Sequence, residues 1–372
     1  MNGVRVVEVA AGTAPAGAID LGDVAVLPGL VNAHTHLEFS DASSPIGQPG
    51  IALNDWIGKV IASRQSIDVG TKAAAIAAGI AESRQCGVQL MGEITTTPCD
   101  YPATDIQLVT FAETLGLSPG RGAERLAAAV SHVANSPQAA VSPHAPYSTS
   151  RGLIQSCVEI ARTNRRPLAM HLAESPDERE LLATGSGPFA DTLRRLGVWQ
   201  NELFPWPDGA MRWLLEQLGS APSALLIHCN DLRDDELDQM ADFSNMTAVY
   251  CPRTHSFFGH DRHPVQRMVD RSIRVALGTD SRASNPDLNL WREAQFLWRH
   301  RQDVRPSAVL KMATLAGAES LMSVLHGRIA PGTSPGLGVV ETSATTVQQV
   351  FRDFADHDYQ PVFKPIPCPS EA

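Results

Sequence analysis

The feature that most restricts this chain is an alternation. Eight short runs rich in Val, Ile, Leu, Ala and Met lie at 25–36, 88–94, 106–112, 139–144, 167–174, 224–230, 247–252 and 274–281. Between them run segments with helical patterning, such as "TKAAAIAAGIAESRQCG", "GAERLAAAVSHVANS", "SRGLIQSCVEIARTN" and "SAVLKMATLAGAESLMSVL". Short apolar runs bounded by Gly, Pro or polar residues read as strands buried on both faces. Strands that alternate with helices form a parallel sheet, and eight such units predict a closed (β/α)8 barrel of the α/β class. The predicted barrel spans 25–326. Residues 1–24 and 327–372 break the pattern, with "VRVVEVA" at one end and "GLGVVE", "VQQVFRDF" and many prolines at the other. They predict a small, β-rich, sandwich-like satellite assembled from both chain ends.

Two connections exceed the length of a plain helix. One runs from residue 37 to about 70 and contains Trp56 in "LNDWIGKV"; the other runs from 175 to 221 and contains Trp199, Trp206 and Trp213. Long loops after strands sit at the C-terminal mouth of a barrel, where active sites are built. The three tryptophans read first as packing for an inserted helical hairpin. Their functional alternative is an aromatic lid over a planar substrate.

Composition narrows the function classes. The 372 residues are 43% hydrophobic and 19% charged, as in a globular protein with a large core, and the net charge is −10. That balance argues against a nucleic acid or an anionic membrane as partner. The six cysteines (Cys86, Cys99, Cys157, Cys229, Cys251 and Cys368) are scattered without a CxxC, which predicts reduced thiols. The start lacks a signal-peptide pattern, and no run approaches the roughly 20 apolar residues of a membrane span. A soluble, cytoplasmic protein is the expectation.

Polar residues cluster at the ends of the predicted strands. The first ends in His34 and His36, the fourth in His144, and the fifth in His171 with Glu174 three residues on. The sixth ends in His228 and the eighth in Asp280. Any one of these histidines has an ordinary packing explanation, but five strands ending this way would direct them at one barrel mouth. Imidazole and carboxylate donors without thiolates suit zinc, and also iron(II) or manganese. Three histidines, one aspartate and an open position make a hydrolytic metal site. Glu174 is placed to carry a proton, and His228 to hold or polarise the group under attack.

The segments "PGLVNAHTHLEF", "SPHAPYS", "HLAES", "IHCN", "VYCPRTHSFFGH" and "LGTDSRASNPDLN" run in order from residue 27 to about 295. Together they resemble the amidohydrolase superfamily. More narrowly, they resemble its cytosine deaminase/chlorohydrolase-like branch, which includes deaminases of guanine, S-adenosylhomocysteine and aminofutalosine. The resemblance implies one divalent metal ion, zinc before iron or manganese, held by His34, His36, His171 and Asp280. It implies Glu174 as proton shuttle, His228 as catalytic histidine, and His144 and Arg253 as substrate contacts; Trp56 joins them from the loop reading. Binuclear relatives use a carboxylated lysine at the end of the fourth strand. The four lysines here (Lys59, Lys72, Lys311 and Lys364) lie elsewhere, and His144 stands at that strand end.

The implied reaction is hydrolytic deamination of an aminated heterocycle by metal-bound hydroxide, with release of ammonia. The alternatives are hydrolysis of a chloro- or alkylamino-substituted triazine-like ring or of a cyclic amide, and a non-catalytic barrel that only binds. The implied partner is a small heterocyclic substrate, and a homodimer is the common assembly of the branch. Two departures stand out. His34 comes early, so the N-terminal part of the satellite is expected to be clipped or the start placed too late. The closing "IAPGTSPGLGVVE" lacks the acidic residue usual in relatives.

Overall fold

A computed structural model describes residues 5–64, 69–96, 99–356 and 361–362. The chain forms strands β1 (Val24–Pro28), β2 (Leu30–Thr35), β3 (Val88–Thr95), β4 (Gln107–Thr114) and β5 (Ala139–Pro143). They are followed by β6 (Pro167–Leu172), β7 (Ser223–His228), β8 (Met246–Tyr250), β9 (Arg274–Leu277) and β10 (Leu337–Glu341). Strands β2 to β9 make one eight-stranded sheet in sequence order, every neighbouring pair parallel. Helices connect the strands, as the alternation requires. The barrel predicted from the sequence is the observed architecture.

The period of two along each strand divides its side chains between two cores. Val31, Leu90, Ile94, Val109, Phe111, Ala140, Ala169, Leu225, Ile227, Val249 and Ala276 form a cluster inside the barrel. Met91, Ala112, Val141, Leu168, Met170, Leu226, Ala248 and Val275 belong to the larger cluster between sheet and helices. Because both faces are buried, the strands carry continuous apolar runs and not a polar alternation.

One expected strand is two. The run at 25–36 breaks at Gly29, and its first half, β1, pairs antiparallel with β10 from the other end of the chain. Gly29 donates its N–H to the carbonyls of Pro335 and Gly336, at 3.1 and 3.0 Å. A Cβ there would lie 2.1 Å from Gln89 Cγ and 2.6 Å from the Pro335 carbonyl, so only glycine fits where the chain leaves one sheet for the other. Of the predicted satellite, the described residues contain this two-stranded sheet, extended by a bridge between Val339 and Val362. "VQQVFRDF", expected within the β-rich part, instead lies in a helix, Val347–Ala355. Its start is held by a capping box of Thr346 and Gln349, and it sets Phe354 against Trp291 and Trp298 of the barrel helix Leu290–His300.

The two long connections are largely helical. The first holds a short turn, Leu37–Phe39, and a helix, Leu53–Arg64; the second holds helices Pro176–Thr184, Pro188–Arg195 and Ala210–Leu218. Trp206 packs edge-on against Trp213, with the Arg151 guanidinium over the latter, and Trp199 stacks on Phe204. These tryptophans serve packing, the first of the two readings. No helix among the described residues is long and apolar enough to cross a membrane.

Closure of the barrel is thin. Between β2 and β9 the described residues show a single bridge, Thr35 to Asp280. Side chains reinforce it. Asn32, wholly buried on β2, donates from Nδ2 to Thr279 Oγ1 (2.8 Å), and its Oδ1 accepts from the Thr279 N–H (3.1 Å). The backbone N–H groups of Thr279 and Asp280 both donate to the His34 carbonyl, each at 3.1 Å.

Candidate active site

The strand ends named from the sequence meet at one mouth. His34 lies near the end of β2 and His36 in extended backbone just beyond it. His171 lies on β6, His228 closes β7, and Asp280 follows β9. His34 Nε2 is 3.5 Å from Asp280 Oδ1, His36 Nε2 is 3.9 Å from the same oxygen, and the Nε2 atoms of His36 and His171 are 3.4 Å apart. Donors set tetrahedrally around one ion at about 2.1 Å lie roughly 3.4 Å from each other. The observed spacings fit that figure.

The state of the donors fits a metal as well. Burial lowers the pKa of His34 and His36 well below the usual histidine value, and neighbouring imidazoles add to the effect. His171 is lowered too, by burial against the opposing pull of Asp280. Neutral imidazoles present lone pairs. Both ring nitrogens of His34 are buried without a hydrogen-bond partner, and an ion taken by Nε2, the nitrogen that faces Asp280, would satisfy one of them. The Nδ1–H of His171 donates to the His144 carbonyl at 3.0 Å, which fixes the ring so that Nε2 faces the cluster. Asp280 points Oδ1 at the histidines while Oδ2 accepts from the Ser284 hydroxyl at 2.9 Å. Gly278 lets this segment approach β2: a Cβ there would lie 2.9 Å from His34 Cβ and 3.0 Å from its carbonyl.

Backbone strain coincides with the site. His228 and Asp280 have φ of +74° and +56°, and Ala173 and Cys229 have +51° and +54°, in the left-handed region that non-glycine residues seldom occupy. Neighbours enforce these bends. The Glu178 carboxylate, fully buried, accepts from the N–H groups of Ala173 (2.8 Å) and Glu174 (3.3 Å). The His263 ring, stacked on Tyr250, donates from Nε2 to the His228 carbonyl at 2.8 Å.

Glu174 lies 3.3 Å from His228 Nε2. Burial raises its pKa well above the carboxylate range, and the negative charges of Asp280 and Glu178 add to this. His228 is held neutral, mainly by burial. Both shifts run towards the uncharged form, beside the donor cluster.

The three expected substrate contacts fall differently. His144 faces the mouth, with Nδ1 bonded to Ser148 Oγ at 2.6 Å. Trp56 stands at the lip, its Nε1–H donating to the Ala283 carbonyl (3.1 Å) and its ring edge-on to Phe258. Arg253 does not join the gathered donors. Its guanidinium is bound to Glu293 (2.5 Å) and to Asp287 (2.6 Å), which pins the loop after Asp280. Sequence reasoning missed Glu113, Glu178 and His263. Glu113 had a readable signal: it stands two and four residues beyond Phe111 and Val109, on the face that points into the barrel.

Imidazole and carboxylate donors converging at the C-terminal mouth of a (β/α)8 barrel, with a buried acid beside them, define a metal-dependent hydrolase. The chain belongs to the amidohydrolase family, whose model matches residues 25–364. It is 29% identical over 365 residues to the 5-methylthioadenosine/S-adenosylhomocysteine deaminase of Nitratidesulfovibrio vulgaris, covering 92% of this chain and 77% of that protein. It is 26% identical over 321 residues to the aminodeoxyfutalosine deaminase of Deinococcus radiodurans, covering 82% and 75%. The fold is similar to that of Helicobacter pylori aminofutalosine deaminase in complex with methylthio-coformycin. The TM-score is 0.80 at 23% identity, covering 91% of this chain and 85% of that one.

Proposed function

We propose that this chain is a zinc-dependent deaminase that hydrolyses the exocyclic amine of an adenosine-like nucleoside. The observation that carries the reading is the convergence of His34, His36, His171 and Asp280 with the buried Glu174 beyond them. The names of the curated relatives above point to the nucleoside class. His34, His36, His171 and Asp280 would hold a divalent ion, which when bound would lower the pKa of a water towards neutrality and so supply the nucleophile.

The remaining chemistry belongs to the chain's own groups. Asp280, with Oδ2 anchored by Ser284, takes a proton from the attacking water. Glu174, kept protonated by burial, gives its proton to the ring nitrogen beside the carbon under attack, so that charge does not build on the ring. His228, neutral and 3.3 Å from Glu174, is placed to hold the oxygen joining that carbon. The proton on Asp280 then passes to the amine. The new C–O bond is complete, the C–N bond breaks and ammonia leaves, and the proton left on the new oxygen passes to Glu174, which restores the acid and leaves a carbonyl on the ring.

The test is ammonia release by zinc-loaded protein from adenosine, 5′-methylthioadenosine, S-adenosylhomocysteine, free adenine, guanine and cytosine, with metal content measured alongside. The expected result is activity on the adenosine-type nucleosides with one metal per chain. Fully loaded protein that releases no ammonia from any of them overturns the reading, and two metals per chain overturn the mononuclear site.

A further inference from the structure

Glu113 closes β4 with its side chain on the barrel's inward face, and it is buried. One carboxylate oxygen lies 3.8 Å from His144 Nε2, and oxygens or ring nitrogens of Glu113, His144 and His171 all lie within 4.8 Å of one another. Burial pushes the Glu113 carboxyl up to about 8, the Thr96 side chain is bonded to it, and the nearby cations are engaged elsewhere, Lys72 with Glu38 (2.8 Å) and Arg125 with the Thr96 carbonyl (2.6 Å). This trio does not read as a second metal site. His171 directs Nε2 at the first donor set and spends Nδ1 on the His144 carbonyl.

A gap of 3.8 Å is too long for a direct hydrogen bond and suits a small polar group held between two partners. His144 bonds Ser148 through Nδ1, and the ring exists in either tautomer according to which partner donates. A hydroxyl satisfies both cases. It donates to Glu113 and either accepts from Nε2–H or, as one of a pair, leaves its neighbour to donate to Nε2. An ammonium could also donate to both, but it would sit beside a divalent cation and be repelled. A buried carboxylate that receives sugar hydroxyls is an established mode of ribose recognition.

We propose that Glu113 and His144 form a subsite for the hydroxyls of a sugar on the substrate, so that the enzyme selects ribonucleosides over bases and dideoxynucleosides. This rests on the nucleoside reading above and names the residue that enforces it.

The test compares adenosine with 2′,3′-dideoxyadenosine in kcat/KM, for wild type, Glu113→Gln and Glu113→Ala. Equilibrium binding of inosine and 2′,3′-dideoxyinosine by calorimetry gives a second readout independent of turnover. Wild type should prefer adenosine by about 10- to 100-fold, as for two lost buried hydrogen bonds, chiefly through KM. Both variants should lose most of that preference by weakening on adenosine alone, and inosine binding should weaken in parallel. Unchanged metal content and melting of Glu113→Gln verify the fold. If wild type discriminates and Glu113→Gln discriminates equally, the subsite is overturned while the deaminase reading stands. If wild type neither deaminates adenosine nor binds inosine, the reading and the subsite fall together.

Discussion

Replacing Asn32 with alanine should loosen the metal site without touching any of its donors. The amide makes two contacts across the closure of the barrel, at 2.8 and 3.1 Å to Thr279, and a third at 3.3 Å from the His34 N–H. At about 1 kcal/mol net for each buried hydrogen bond, truncation costs about 2 to 3 kcal/mol of unfolding free energy. Because Asn32 aligns the segment of His34 with that of Asp280, it also acts as an outer support of the ligands. Losing such support lowers metal affinity by about 10- to 100-fold. Urea unfolding of metal-loaded protein measures the first effect, and retention of zinc against graded chelator measures the second. Thr279→Val removes only the hydroxyl side of the contact and should fall between wild type and Asn32→Ala in both assays. A change of less than about 0.5 kcal/mol, the level of an ordinary surface substitution, together with unchanged zinc retention, would refute the argument that side chains hold this closure.

Two further outcomes follow from the site. Glu174→Gln should keep its metal and its stability but slow ammonia release by about 10²- to 10⁴-fold, the worth of a general acid; normal turnover would remove Glu174 from the proton path. Arg253→Met should leave Glu293, a fully buried carboxylate, without its cation, at a cost of about 3 kcal/mol in urea unfolding. The double variant Arg253→Met/Glu293→Gln should recover part of that loss, and an unchanged midpoint in the single variant would show the ion pair to be idle.

The barrel was legible because short apolar runs bounded by Gly, Pro or polar residues alternate repeatedly with helical patterns, which is how parallel strands and their crossover helices read. The residues gathered at the mouth were legible because histidines and an aspartate at run ends have few other reasons to recur. Arg253 shows what a motif leaves out: an arginine looks the same in sequence whether or not it makes an ion pair 34 and 40 positions later. Glu178 and His263 act through backbone N–H and carbonyl groups at bends of positive φ, and nothing in a linear pattern marks a non-glycine bend. The split at Gly29 had its cue in "PG", but an unbroken apolar run on both sides outweighed it. The terminal helix was hidden because β-branched and aromatic residues around 347–354 carry strand propensity, while its packing on Trp291 and Trp298 decides the outcome.

The thin closure between β2 and β9 has a consequence for how the protein behaves as metal supply changes. The histidines belong to β2, its following residue and β6, whereas Asp280 arrives only after the last barrel strand. An ion held by all of them would act as a clasp across the closure of the barrel, and its binding energy would become part of the energy that keeps the barrel shut. Once the site is nearly saturated, each tenfold rise in free zinc adds about 1.4 kcal/mol to that hold. On that reading the metal supply would set how often the first and last strands part.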